Sequence, residues 1–297
     1  VKLLSDFDGV WTYPSEEGVA HGVALDTALE ELVGDGERAA VRAWVARARA
    51  AVRAEPTRWG WASAGRISAF ADEDPFTEHG ALLHHLSDRR GEDPLAARLA
   101  AAIEARGVTL DAFGGQCHVA GVRAVEARRG PGIVDRAAAA GRELLARGVD
   151  IVVVSNSDTG KLARWFAHAG LPSAVHPARA DRALRLRGSA RKFLLAPGAG
   201  ERITVGGLAV DVARPDYEKV LREERPDAIV GDVFSLDLAL PLALKRAEAA
   251  WKHLRLFWLV HAYTTERMRR LIAALPAGEV EPVEGGLAGL AAKVSAG

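Results

Sequence analysis

Three short stretches gather the residues that could do chemistry. "SDFDG" places Asp6 and Asp8 one residue apart ahead of Gly9, "VVVSNSD" carries Ser155 and Asn156, and "GDVFSLD" carries Asp232 and Asp237. Each follows an apolar run. Two carboxylates at close range repel, and several converging on one point raise one another's proton affinity unless a cation neutralises them. Hard carboxylate oxygens with room for phosphate oxygens suit Mg²⁺. A serine hydroxyl beside an exposed amide can cap a helix or bind an oxyanion.

The elements that would position these groups alternate. Val1–Leu4, "VDIVVV" and "AIVGD" read as buried parallel strands. "IVDRAAAAGRELLARG", "TGKLARWFAHAG" and "PDYEKVLREERPD" read as helices, and "HLRLFWLVHAYTTERMRRLIAAL" as a strand followed by a helix. The stretch from "LRLRG" to "LAVDVA" reads as strands joined by glycine turns. Strands alternating with helices predict an α/β core, a Rossmann-like parallel sheet with helices on both faces. In such sheets ligands bind at the carboxyl ends of the strands, where all three stretches lie. From about Ala24 to Ala102 the period becomes helical with no confident strand, and "DPFTEH" and "DPLAAR" carry the Asp-Pro helix-start signal. An inserted helical domain over 15–127 is therefore expected, splitting a core of 1–14 and 128–297.

Taken in order, "DFDGV" followed by Thr12, then "SN", then "GDVFSLD" resembles the haloacid dehalogenase superfamily. The helical insertion resembles that family's C1-type cap. The resemblance implies that Asp6 is a nucleophile toward phosphorus and Asp8 a general acid and base. It implies that Asp6, the backbone carbonyl of Asp8 and Asp232 hold Mg²⁺, with Asp237 anchoring the metal or a cationic side chain. Ser155 and the backbone N–H of Asn156 would bind phosphoryl oxygens. A cation between the second and last stretches is also implied: Arg214 in "ARPDY" ranks first, Lys192 in "GSARKF" second, and Lys219 is read as a helix-surface residue. An aspartate at position 8 favours phosphate esters over carbon–halogen bonds. The expected activity is a Mg²⁺-dependent phosphatase acting on a small phosphorylated metabolite, with a cap closing over the leaving group. A phosphomutase or phosphotransferase of the same superfamily is the alternative, as is a non-catalytic binding or regulatory protein on the same fold.

Other signals are weaker. Lys and Arg number 39, as do Asp and Glu, so charge makes no case for nucleic acid or a membrane as partner. No apolar run approaches the roughly 18 residues of a membrane span. Cys117 is the single cysteine, which excludes an internal disulfide. With no signal-peptide pattern, a cytoplasmic monomer or homodimer is expected. "SNSDTGKL" contains Gly160-Lys161 but has Ser155 and Leu162 where a phosphate-binding P-loop needs glycine and a hydroxyl residue. His84 and His85 read as solvated or packing residues of the insertion rather than zinc ligands, and Trp44, Trp59 and Trp61 as core or hinge packing, with a substrate pocket as the alternative.

Overall fold

Leu3 and Leu4 are both fully buried, so the first strand, β1 (Lys2–Ser5), is apolar on both faces. It belongs to a computed structural model that describes residues 1–178, 180–198 and 200–294. The described chain forms two compact units, Val1–Tyr13 with the segment from Pro131 onward, and Pro14–Gly130. Pro14, Arg128, Arg129 and Gly130 thus belong with the insertion, whose last helix continues to Arg129 before Gly130 turns at φ +77°.

The insertion consists of α1 (Ser15–Glu30), α2 (Arg38–Ala54), a hairpin of β2 (Gly60–Ser63) and β3 (Arg66–Phe70), then α3 (Thr77–Arg89), α4 (Pro94–Ala105) and α5 (Leu110–Arg129). The Asp93 side chain accepts from the N–H groups of Leu95 and Ala96, with Pro94 opening α4, as the Asp-Pro signal predicts. Leu25, Leu29, Trp44, Leu82, Leu99 and Phe113 share its main core. The hairpin departs from the all-helical expectation. Ala64 and Gly65 both take positive φ, a two-residue turn without the Asn-Gly or Asp-Gly pair that usually announces it.

The other unit continues with α6 (Asp135–Ala146), β4 (Asp150–Val154), α7 (Thr159–His168), β5 (Ser173–Val175) and β6 (Leu184–Arg187). A separate antiparallel hairpin follows, β7 (Arg202–Val205) and β8 (Leu208–Asp211), then α8 (Pro215–Glu224) and β9 (Ala228–Gly231). One π-helical turn, Phe234–Leu238, leads into α9 (Ala239–Ala247). The chain ends with β10 (Arg255–Leu259), α10 (Glu266–Ala273), β11 (Glu281–Val283) and α11 (Gly286–Ala291).

Seven strands form one parallel sheet in the order β11-β10-β9-β1-β4-β6-β5. On one face Leu3, Ile151, Val153, Ala228, Val230 and Phe257 join residues of α6, α7 and α11 in a single core. Successive strand residues face opposite ways, and Leu4, Val152, Ile229, Leu256 and Trp258 are buried too, so both faces are covered. The α/β fold expected from sequence is the one observed. β1 lies between β4 and β9, with Ser5 paired to Val153 on one side and Val230 on the other. The three acidic or polar strand ends are therefore neighbours.

Candidate active site

At the end of β1 the chain is held closely. Asp6 N donates to the Val230 carbonyl at 2.9 Å, Ser5 Oγ donates to the Asp6 carbonyl at 2.7 Å, and Trp11 Nε1 donates to Ser5 Oγ at 2.9 Å. Phe7 is fully buried, edge-on to Trp165 and Phe166 at centroid distances of 5.7 and 5.5 Å. The anchored ring fixes the backbone from which both flanking carboxylates spring. Gly9 takes φ +76°, and a Cβ there would lie 2.2 Å from an Asp232 carboxylate oxygen. Only glycine leaves room for that side chain.

The end of β4 supplies Ser155, fully buried, whose Oγ accepts from Ser157 N at 3.0 Å. Asn156 Oδ1 accepts from Lys192 N at 2.7 Å. At the end of β9, Asp232 accepts through Oδ2 from the Tyr263 hydroxyl at 2.6 Å and through its backbone carbonyl from Trp258 Nε1 at 2.7 Å. The π-helical turn brings Asp237 back over Gly231, where a Cβ would lie 2.4 Å from its carboxylate. Asp237 Oδ2 accepts from Val233 N at 3.1 Å, and its carbonyl accepts from the Tyr217 hydroxyl at 3.0 Å.

Lys192 joins two of these strand ends. Its Nζ donates to Asp6 Oδ1 and to Asp237 Oδ1, both at 2.6 Å, and the residue is 2% exposed. Burial alone would lower the lysine's pKa, and Asp237 and Asp6 more than reverse this, so it is raised. Burial, then the charge of Asp237, pushes Asp6 up to about 8 against the opposing pull of Lys192. One ammonium does not balance this many carboxylates, and the deficit marks a place for a further cation.

The order of preference among the cations is reversed here. Arg214 is fully buried but does not meet Asp6; Nη1 donates to the Lys192 carbonyl and Nη2 to the Asp211 carbonyl at 3.3 Å. Its proline neighbour opens α8 as expected, and that places the guanidinium behind the lysine's main chain. Lys219 is exposed on α8. Asp8 lies apart from the Lys192 pair: Oδ2 accepts from Ser157 Oγ at 3.2 Å, and Oδ1 is 3.7 Å from Lys161 Nζ.

No protein-family model and no curated protein matches the chain. Solved structures similar to it include the HAD-hydrolase YfnB from Bacillus subtilis bound to magnesium (15% identity, 87% of each chain covered, TM-score 0.36). Another is 2-haloacid dehalogenase from Pseudomonas syringae pv. Tomato DC3000, at 15% identity, 97% of this chain and 95% of that one, TM-score 0.38. A third is the defluorinating L-2-haloacid dehalogenase Rha0230, at 14% identity, 99% and 95% coverage, TM-score 0.35. At these TM-scores the likenesses decide nothing, and the chemistry is read from this chain's own side chains.

Asp6, Asp232 and Asp237 each offer an oxygen within 4.8 Å of the others. The donors are all hard oxygens, and the space over Gly9 is kept for Asp232, so the set fits Mg²⁺. Both oxygens of Asp237 already accept hydrogen bonds, from Lys192 and Val233, which suits anchoring the lysine better than ligating a metal.

Tyr263, Tyr217, Ser157 and Lys161 were not singled out as site residues from sequence. Tyr263 had a usable signal, since "VHAY" directly follows strand "RLFWL". In the insertion, Trp59 packs against His85 at 4.6 Å, Trp44 lies 6.0 Å from the same ring, and Trp61 is half-buried. Cys117 is buried, and burial pushes its thiol up to about 11.

Proposed function

We propose that this chain is a Mg²⁺-dependent phosphomonoester hydrolase of the haloacid dehalogenase superfamily, acting on a small phosphorylated metabolite. The observation that carries the reading is the Lys192 ammonium bound to both Asp6 and Asp237, with a second aspartate, Asp8, held separately two residues along. A nucleophilic carboxylate and a proton-exchanging carboxylate on one strand end are what phosphate-ester hydrolysis needs. Carbon–halogen cleavage has no call for the second.

Asp6 Oδ2 attacks phosphorus while Asp8 gives its proton to the departing ester oxygen, leaving an aspartyl-phosphate and a free alcohol. Asp8, now ionised, takes a proton from water, whose oxygen attacks phosphorus; inorganic phosphate leaves and Asp6 is regenerated. Lys192 holds Asp6 by Oδ1, which leaves Oδ2 as the attacking oxygen. Ser155 Oγ and the Asn156 backbone N–H receive phosphoryl oxygens, and the fixed Lys192 charge needs no reorganisation as charge develops. Asp6 and Asp232 would hold Mg²⁺, which when bound supplies charge neutralisation to the phosphoryl group.

Phosphate release from an aryl phosphate tests the reading. Activity is expected with Mg²⁺, and none with EDTA or in Asp6→Asn. Full activity in Asp6→Asn, or halide release from a 2-haloacid in place of phosphate release, would overturn it. A panel of metabolite phosphates then ranks substrates.

A further inference from the structure

Lys161 has no place in that scheme, yet it is 6% exposed and sits in the first turn of α7. A cation there opposes the helix dipole, and a buried ammonium is costly. The stem lies among Phe7 and Trp165, where an aliphatic side chain of the same length would fit, and Nζ stands 5.6 and 4.6 Å from their ring centroids. Both aromatic faces attract the ammonium, which offsets part of its lost hydration. A neighbour of opposite charge is Asp8, 3.7 Å away. The backbone is fixed as well, since Lys161 N donates to the Asp158 cap at 2.8 Å.

Two groups from one connection therefore meet the two oxygens of Asp8: Ser157 Oγ donates to Oδ2, and Lys161 Nζ faces Oδ1. In the resting site, before Asp8 takes up the proton it delivers to the leaving oxygen, the four carboxylates of Asp6, Asp8, Asp232 and Asp237 against the ammoniums of Lys192 and Lys161 leave two negative charges, the complement of one divalent cation. We infer that Lys161 is a second cation of the site, a positioning residue that with Ser157 orients the Asp8 carboxylate toward the leaving oxygen. The inference rests on the phosphohydrolase reading.

Lys161→Met, similar in length and apolar, separates this role from packing. Its kcat for an aryl phosphate is expected to fall about 10- to 100-fold, with KM changed less than about threefold. In an Asp8→Asn background the same change should cost less than about threefold, because the group it orients is already gone. Mg²⁺ binding, followed by calorimetry, should tighten several-fold when a nearby positive charge is removed. A packing defect would weaken it and lower the melting temperature. Equal losses of kcat in both backgrounds, or weakened Mg²⁺ binding with a lowered melting temperature, would overturn the inference. If the wild type releases no phosphate from any substrate, the functional reading fails instead, while the direction of the Mg²⁺ change still judges the place of Lys161 in the site.

Discussion

Arg214 donates to the main-chain carbonyl of Lys192, while the Asn156 side chain accepts from the same residue's N–H. The lysine that joins Asp6 to Asp237 is thus gripped by its peptide groups on both sides as well as by its ammonium. Charge-assisted bonds to buried carbonyls contribute about 1.5–3 kcal/mol each. Arg214→Met is expected to destabilise by about 3 kcal/mol in urea unfolding. Phosphate release, measured well below the melting point, should fall further than the unfolded fraction explains. A variant with lowered stability but unaltered turnover would show that Lys192 stays in place without it.

Lys192→Met leaves Asp6 and Asp237 buried without their shared cation. Removing one partner of a buried ion pair costs about 3–5 kcal/mol, and loss of a fixed charge at the reacting group costs about 10²–10³ in turnover. Mg²⁺ should raise the melting temperature of this variant more than that of the wild type, because it replaces part of the missing charge. Thermal melts with and without Mg²⁺ read this directly.

Gly9→Ala combines a strained φ of +76° with a Cβ 2.2 Å from Asp232. The backbone contributes about 1–2 kcal/mol of destabilisation, and displacement of Asp232 should weaken Mg²⁺ binding about 10- to 100-fold. Gly65→Ala is the control. It has φ +71° and no atom within 4 Å of the built Cβ, so it carries the strain alone and should leave Mg²⁺ affinity unchanged.

Away from the site, Glu224 sets an acid limit on stability. Its carboxylate is nearly inaccessible and accepts from Arg185 Nη1 at 2.9 Å and Arg187 Nη1 at 2.8 Å. Burial would raise its pKa, but the hydrogen bonds from Arg187 and Arg185 prevail and hold it below the ordinary 4.5. Its stabilisation is therefore full above the unfolded value and is lost as pH falls through the folded one. Glu224→Gln should cost about 3 kcal/mol at pH 7 and flatten the fall in melting temperature between pH 6 and pH 3.

The sheet and its acidic ends were legible because each central strand is a continuous apolar run that stops abruptly at polar residues. β5 and β11 were not, being three-residue edge strands too short to show a period. The insertion's hairpin hid behind an Ala-Gly turn. The cation was the hardest element to read. Lys192 lies in an irregular segment after β6 where Ser189 and Arg191 both take positive φ, at 54° and 49°. No periodicity says where such a segment points. Arg214 drew attention by its proline, a local signal that specifies the start of α8 and says nothing of which atoms the guanidinium reaches.

The register of β1 has a consequence for how the molecule comes into being. Lys2 pairs with Asp150, and Leu3 with Ala228, so β1 is flanked by strands made much later. During synthesis Asp6 and Asp8 leave the ribosome with no sheet neighbours, and β1 must wait for both before its backbone is paired. Contacts of such long sequence separation form slowly. The insertion's residues emerge during that interval. The last carboxylate, Asp237, follows β9 by only a few residues, so the final central strand and the final piece of the site arrive together. A chain cut short before that point would hold an open sheet and two unbalanced aspartates, and no partly built molecule would carry the complete acidic cluster.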